Sequence, residues 1–390
     1  MKVVYITLST ILTGGGTKAF LNMLYACMAR GVEPLVVCPD QGDLYRQLSA
    51  EGIRTIAVPY TPSTYPFVCS FRDVLLFFPR LCKRLLLNLL AVIRITKQVR
   101  DFHPDLVHTN VSLTTVGYHV ARRLRVPHVW HIREYGDLIG DHWLPSGRSQ
   151  MNKYRTAQSY TICITRGMQQ YYQLTDYQSS RVIYDAITPV LPPYNQGNKT
   201  YFLFVGRVEL NKGVLPMLEA YARYTRQTSR PLPLYIVGHY NDDAYFRQCQ
   251  QTILRHHLQD FVCFKGKTQD VSACYREATA LIVPSLVEGF GLVVAEAMSA
   301  GCIVIGHDTT GIKEQFDNGL AFTGEPIGLC YDTPDQLANH LLSVANAPSG
   351  AYAPMLLRAQ QTVTHLYSAQ SCADGIMDFY RHIIGNATIV

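Results

Sequence analysis

Several chemistries are excluded by what the 390-residue sequence does not contain. Its eleven cysteines stand singly with no C-x-x-C pair, so neither a zinc site nor a disulfide framework is indicated, and their odd number suits a reducing compartment. No D-x-D occurs, which removes the usual carboxylate pair for a metal-bridged diphosphate. The glycine run "LTGGGTKAF" lacks G-x-G-x-x-G spacing, which argues against a nicotinamide dehydrogenase. No apolar stretch reaches the ~20 residues that a membrane-spanning helix requires. Internal repeats and low-complexity tracts are also missing. The opening "MKVVYITLSTIL" is broken by Thr7, Ser9 and Thr10 and has no small-x-small cleavage pattern after it. It reads as a buried first strand, and the expected location is cytoplasmic.

Length and apolar content suit two domains with substantial cores: 390 residues, 48% hydrophobic. The formal charge of +6 is unevenly spread. Residues 71–100, "FRDVLLFFPRLCKRLLLNLLAVIRITKQVR", hold seven basic residues (Arg72, Arg80, Lys83, Arg84, Arg94, Lys97, Arg100) against one acid, Asp73, and so carry the whole excess. Charge confined to one leucine-rich segment argues against a nucleic-acid-binding face. Pro79 and its basic neighbours preclude a span, so the segment is either a core helix with a solvated basic face or one lying on an anionic membrane surface. The second case makes the protein peripheral to the inner face of a membrane.

Strands and helices alternate along the chain. "KVVYIT", "EPLVVCP", "IRTIAVP", "PDLVHTN", "VPHVWHIRE", "SYTICIT" and "SRVIYDAI" read as strands of a first domain over residues 1–190. A Pro- and Asn-rich linker follows at 191–198, and "YFLFVGR", "PLYIVG", "VCFKG", "ALIVPS" and "CIVIG" give a second series over 199–368. This alternation predicts an α/β protein of two doubly wound parallel sheets. Ligands of such sheets sit beyond the carboxyl ends of the strands.

The most informative stretch is "IVPSLVEGFGLVVAEAMSAG", Ile282 to Gly301. Gly289, Phe290, Gly291 and Leu292 lead from a strand into a helix predicted to run from about Gly291 to Ala300, so their amides are available to a phosphate. Two carboxylates, Glu288 and Glu296, flank the same helix entrance and should repel an anion. A carboxylate accepts paired hydroxyls well, so a ligand with phosphates for the amides and sugar rings for the acids satisfies both features. A nucleotide sugar is such a ligand. "VGRVELNKG" adds Arg207 and Lys212 just after the first strand of the same domain, a guanidinium fork and a point charge suited to a diphosphate.

These motifs, with "PDLVHTN" and "VIYDAI", resemble glycosyltransferase family 4, retaining enzymes of the GT-B fold, over nearly the whole chain. The resemblance implies two Rossmann-like domains facing across a cleft, with a last helix at 369–390 crossing back to the first. It implies that Glu296 binds the ribose and Glu288 the transferred sugar, and that Arg207 and Lys212 stabilise the leaving diphosphate. Phe264, Lys265 and Gly266 would lie near the nucleobase, and the loop containing Gly15 and Gly16 would close over donor phosphates or acceptor. His131 would project toward the donor sugar, with Arg133 and Glu134 on the acceptor side. Asp185-Ala186 and His239 depart from the Asn-Gly and the second glycine common in the family.

The expected activity is retaining transfer of a hexosyl or related group from a nucleoside diphosphate sugar to an acceptor hydroxyl by front-face attack. No cofactor or metal is expected. A glycan or lipid-linked acceptor, in envelope, lipopolysaccharide or exopolysaccharide biosynthesis, suits the basic segment. A sugar-nucleotide epimerase and a non-catalytic nucleotide-sugar-binding subunit remain open as alternatives.

Overall fold

The computed structural model describes residues 1–12, 14–68, 70–139, 143–144, 147–156, 159–187, 200–268 and 270–387. The proposed linker at 191–198 lies outside the described residues. The chain divides into two compact units, Met1–Ala186 with Ala369–Val390, and Ile187–Ser368.

In the first unit, seven parallel strands form one sheet: β1 (Lys2–Ile6), β2 (Glu33–Cys38), β3 (Arg54–Ala57), β4 (Leu106–Thr109), β5 (His128–Ile132), β6 (Tyr160–Cys163) and β7 (Ser180–Val182). Their order is β3-β2-β1-β4-β5-β6-β7. Most are buried on both faces, which is why they read as continuous apolar runs and not as alternating ones. One face, with Tyr5, Leu106 and Val129, packs under the helices Gly15–Met28 and Ala369–Ala387. The C-terminal helix contributes Ala373, Ile376, Phe379, Tyr380 and Ile383 to that core. The other face, with Ile6, Val37 and Val107, packs under the helices Phe77–Val99 and Val116–Leu124.

The second unit has six parallel strands: β8 (Phe202–Val205), β9 (Leu234–Val237), β10 (Val262–Gly266), β11 (Ala280–Val283), β12 (Ile303–His307) and β13 (Leu329–Tyr331). Their order is β10-β9-β8-β11-β12-β13. β13, "LCY", has too few residues to register as a strand in the sequence.

Both sheets reverse direction of growth at one place, between β1 and β4 and between β8 and β11. The loops leaving the carboxyl ends of these strands diverge there and leave a crevice. In the second unit those loops are 206–213 and 284–291. Two glycines let the backbones approach: a Cβ on Gly213, at φ +64°, would stand 2.0 Å from the Pro284 carbonyl oxygen, and one on Gly238 would stand 1.8 Å from that of Gly206.

The basic segment forms two helices, Phe71–Leu75 and Phe77–Val99. In the longer one Ala91, Val92, Ile95, Thr96 and Val99 are buried, whereas no residue before Ala91 is. Phe71, Leu75, Phe78, Leu85, Leu86 and Leu89 are all more than half exposed, from 52% to 79%. Among the described residues no helix is long and apolar enough to cross a membrane.

Candidate active site

In the second unit the loop after β8 and the loop after β11 place the predicted charges together. Lys212 Nζ lies 2.5 Å from Glu288 Oε2, and both side chains are largely buried, at 19% and 14% exposure. The 206–213 loop is tied to its neighbour by Leu286 N–H donating to the Asn211 carbonyl at 2.9 Å. Arg207, in the same 206–213 loop, is half exposed and pairs with Glu209 at 2.9 Å.

The helix containing Glu296 runs Leu292–Ser299, one residue shorter at each end than the sequence suggests, with Gly291 left-handed at its N-cap. As at any helix start, the first amides have no intrahelical partner. Glu296 lies within this helix and accepts a 3.0 Å hydrogen bond from the hydroxyl of Tyr275. Tyr275 is buried, and desolvation followed by the neighbouring Glu296 charge raises its pKa well above the ordinary phenol value. Tyr275 therefore stays protonated and always donates. It comes from the helix Val271–Glu277, and no local signal in "ACYREA" marks it as the partner of a glutamate twenty-one positions on.

The segment from Glu288 to Gly291 is held by the following helix, Thr310–Thr323. Glu288 N–H donates to Thr310 Oγ1 at 2.9 Å, and Gly311 N–H donates to the Glu288 carbonyl at 3.1 Å. Gln315 Nε2 donates to the carbonyls of Phe290 and Gly291 at 2.6 and 3.2 Å. Thr310 is a β-branched residue at φ +40°, a strained geometry that persists because these bonds fix it. Phe290 points inward, buried at 5.0 Å from the Tyr367 ring, so only its main chain is available to a ligand.

β10 separates the other two candidates by its pleat. Phe264 turns toward the core and meets Phe246 edge-on at 5.0 Å. Its main chain lies at the edge strand of the sheet, next to Lys265 and Gly266. Lys265 lies on the opposite side with Nζ 4.1 Å from the centre of the Tyr235 ring. His239 supplies the carbonyl that accepts from Val208 N–H at 2.8 Å. Partial desolvation, then the charges of Lys267 and Arg207, lower its pKa.

The first unit presents a different picture. Gly15 and Gly16 form the first turn of the helix Gly15–Met28 instead of a loop before it. A Cβ on Gly16 would meet nothing within 4 Å, so protein packing does not demand a glycine there. His131, on the helix-covered face of β5, is fully buried. Its Nδ1 meets His108 Nε2 at 3.1 Å, and His108 Nδ1 meets the Tyr380 hydroxyl at 2.6 Å. His131 Nε2 has no hydrogen-bond partner among the described residues. Burial, then the charge of Arg133, then an imidazole (His128 for His108, His108 for His131) hold both histidines well below their usual pKa.

Arg133 is buried too. It pairs with Asp185, donates from Nε to Asn110 Oδ1 at 3.1 Å, and desolvation brings its pKa down to about 10. Asp185, a departure in the sequence, thus has a specific partner. Glu134 accepts from the amide and hydroxyl of Ser112, both at 2.7 Å, yet burial still raises its pKa. Among the described residues no three His, Cys, Asp or Glu side chains cluster as a metal site.

Comparison with known proteins gives concordant matches. Residues 193–354 match the model for glycosyl transferases group 1, and residues 14–182 the model for a glycosyl transferase 4-like domain. The O-antigen chain mannosyltransferase B of Escherichia coli is 30% identical over 130 residues, 32% of this chain and 33% of that one. The lipopolysaccharide 1,6-galactosyltransferase of Salmonella typhimurium is 29% identical over 153 residues, 37% and 41% of the two chains. The alignments thus span well under half of these two curated relatives. Among solved structures, Anabaena HepE in complex with UDP superposes with a TM-score of 0.77 at 18% identity, covering 98% of this chain and 100% of that one. HepE has also been solved with UDP-glucose. At this identity the likeness shows the GT-B fold.

Proposed function

This chain belongs to the group 1 glycosyl transferases, and we propose that it moves a sugar from a nucleoside diphosphate donor to an acceptor hydroxyl with retention at the anomeric carbon. The observation that carries the proposal is the Lys212–Glu288 pair beside a helix N-terminus and the Tyr275-anchored Glu296, all at the switch point of one sheet.

Glu296, fixed by Tyr275, accepts the ribose hydroxyls, and Glu288 accepts hydroxyls of the transferred sugar. Lys212, Arg207 and the helix amides meet the diphosphate, with the main chain at Phe264–Gly266 near the base. As the glycosidic C1–O bond breaks, negative charge grows on the departing phosphate oxygen. Cations and amides bind that oxygen more strongly than in the donor, which lowers the barrier. The acceptor oxygen bonds to C1 on the face the phosphate leaves, and its proton passes to the departing oxygen. No metal is called for in this scheme. His131, with its free Nε2, and the Gly15–Gly16 turn are the first unit's contributions, while Arg133 and Glu134 support the acceptor side through Asp185 and Ser112. HepE's complexes with UDP and UDP-glucose favour a uridine donor.

The exposed apolar stripe of residues 71–93 supports docking on an anionic membrane and hence a lipid-linked or envelope glycan acceptor. Full burial of one such side chain stabilises by about 1.5–3 kcal/mol, so a few inserted residues suffice to hold a protein at a surface. Both curated relatives named above act in O-antigen or lipopolysaccharide assembly, in keeping with this.

The test is release of nucleoside diphosphate from a panel of UDP-, GDP- and ADP-sugars, with anomeric configuration of any product read by NMR. Slow hydrolysis of one donor, abolished in Lys212→Met, is expected. Failure of every donor to bind by calorimetry, or an inverted product, refutes the reading.

A further inference from the structure

A cavity of about 520 Å³ lies in the first unit between the helices Phe77–Val99 and Val116–Leu124. Its apolar wall comes from Leu85, Leu89 and Val92, spaced by three and four so that they share one helix face. Leu85 and Leu89 are at the same time 52% and 53% exposed members of the outer apolar stripe, so stripe and cavity form one continuous apolar surface.

The facing helix supplies Arg122 and Arg123 to the same lining, and among the described residues no carboxylate lines it. Neither arginine belongs to an ion pair among the described residues; Arg122 donates to the Tyr118 hydroxyl at 3.2 Å. A third cation, Arg84, is committed to the carbonyls of Thr64 and Tyr65 at 2.8 and 3.2 Å and shapes the wall. The charge of the two guanidiniums is felt locally: loss of solvation and then Arg122 and Arg123 lower the pKa of His119, which also lines the cavity.

A purely apolar ligand would leave the guanidiniums unanswered, and a free inorganic anion would leave the leucines so. We infer that this cavity is a binding site for a phosphate-bearing lipid, its headgroup between Arg122 and Arg123 and its chain along Leu85 and Leu89 toward the exposed stripe. Planar guanidiniums suit phosphate oxygens, and the apolar continuity supplies the exit for an acyl or prenyl chain. The inference rests on the membrane-docking reading given above and adds to it a defined site with headgroup selectivity.

The site can be tested without a bilayer. Calorimetric titration with dihexanoyl phosphatidic acid below its micelle concentration is expected to show saturable binding, with dihexanoyl phosphatidylcholine and inorganic phosphate each weaker by about tenfold or more. Arg122→Gln/Arg123→Gln is expected to lose about tenfold, the Lys/Lys double variant to recover part of it, and melting temperatures to report that both fold. Equal binding of the two lipids, equal binding of inorganic phosphate, or an unaffected Gln/Gln variant overturns the inference. Flotation with anionic vesicles of wild type and Leu75→Ser/Phe78→Ser is read separately. Flotation without phosphatidic acid binding sinks the site and leaves surface docking standing. Phosphatidic acid binding with unchanged flotation of the stripe variant supports the site and sinks the docking reading.

Discussion

Replacing Glu288 by glutamine should make the protein bind the nucleoside diphosphate product more tightly while it transfers sugar more slowly. In the structure Glu288 neutralises Lys212 across 2.5 Å, and the two side chains are only 14% and 19% exposed. A diphosphate recruiting Lys212 must share it with a carboxylate that also repels the incoming charge. Two unit charges 4 Å apart interact by about 4 kcal/mol at an effective dielectric of 20, a gross value from which desolvation is still to be subtracted. A net relief of about 1–2 kcal/mol is a reasonable share of it, which is a factor of roughly 5–30 in affinity. Glutamine keeps the shape and an acceptor for Lys212 but not the charge, so the change isolates electrostatics. Titration calorimetry with UDP, GDP and ADP on wild type, Glu288→Gln and Glu288→Gln/Lys212→Met provides the assay. Tighter binding in the single variant and loss of the gain in the double variant are expected. If Glu288→Gln binds the diphosphate no better than wild type, Lys212 is not the diphosphate ligand and the charge assignment at this site fails.

Stability should fall steeply as the pH drops below about 6.5. His108, His128 and His131 are buried with pKa values held down by desolvation, that of His128 to about 3, so the unfolded chain binds protons the native state does not. Stability is fully present above the unfolded-state pKa and is lost on acidification at about 1.4 kcal/mol per pH unit for each histidine. Urea midpoints at pH 7 and 5 measure this, and equal midpoints contradict it. Tyr275→Phe removes the 3.0 Å hydroxyl contact to Glu296. It should weaken nucleoside diphosphate binding by about 1 kcal/mol and narrow the preference for ribose over 2′-deoxyribose, and unchanged ribose selectivity would count against Glu296 as the ribose ligand.

The sheets were legible because parallel strands buried on both faces leave long apolar runs, and five of six strands in the second unit follow from such runs. β13 did not, because three residues carry no period. The charged pair at the switch point was legible as two motifs seventy-six residues apart, since each abuts a recognisable strand. What holds those motifs was not. Tyr275 on Glu296, Gln315 under Phe290 and Gly291, and strained Thr310 against Glu288 are contacts between separate helices with no spacing rule to announce them. The pleat also turned Phe264 toward the core and buried His131, which no apolar run announces. A residue at a strand end can face the core as readily as the ligand, and a one-residue change of register exchanges the two.

The partnered state of the switch-point charges bears on how such a site gains specificity. Lys212 is matched by Glu288, Arg207 by Glu209, and Glu296 by the Tyr275 hydroxyl. A ligand gains only the difference between its own contacts and those it displaces, so a bare phosphate that engages Lys212 alone gives up nearly what it gains. A nucleotide sugar offers hydroxyls to the released carboxylates and phosphate to the released cation together, so it exchanges the pairs with little residual cost. Among the described residues Arg122 and Arg123 in the first unit have no carboxylate to exchange. Anion binding by such cations depends more strongly on salt. Paired charges at one location and unpaired ones at the other therefore divide recognition: the first discriminates a whole substrate, and the second holds the protein where phosphate-rich surfaces are.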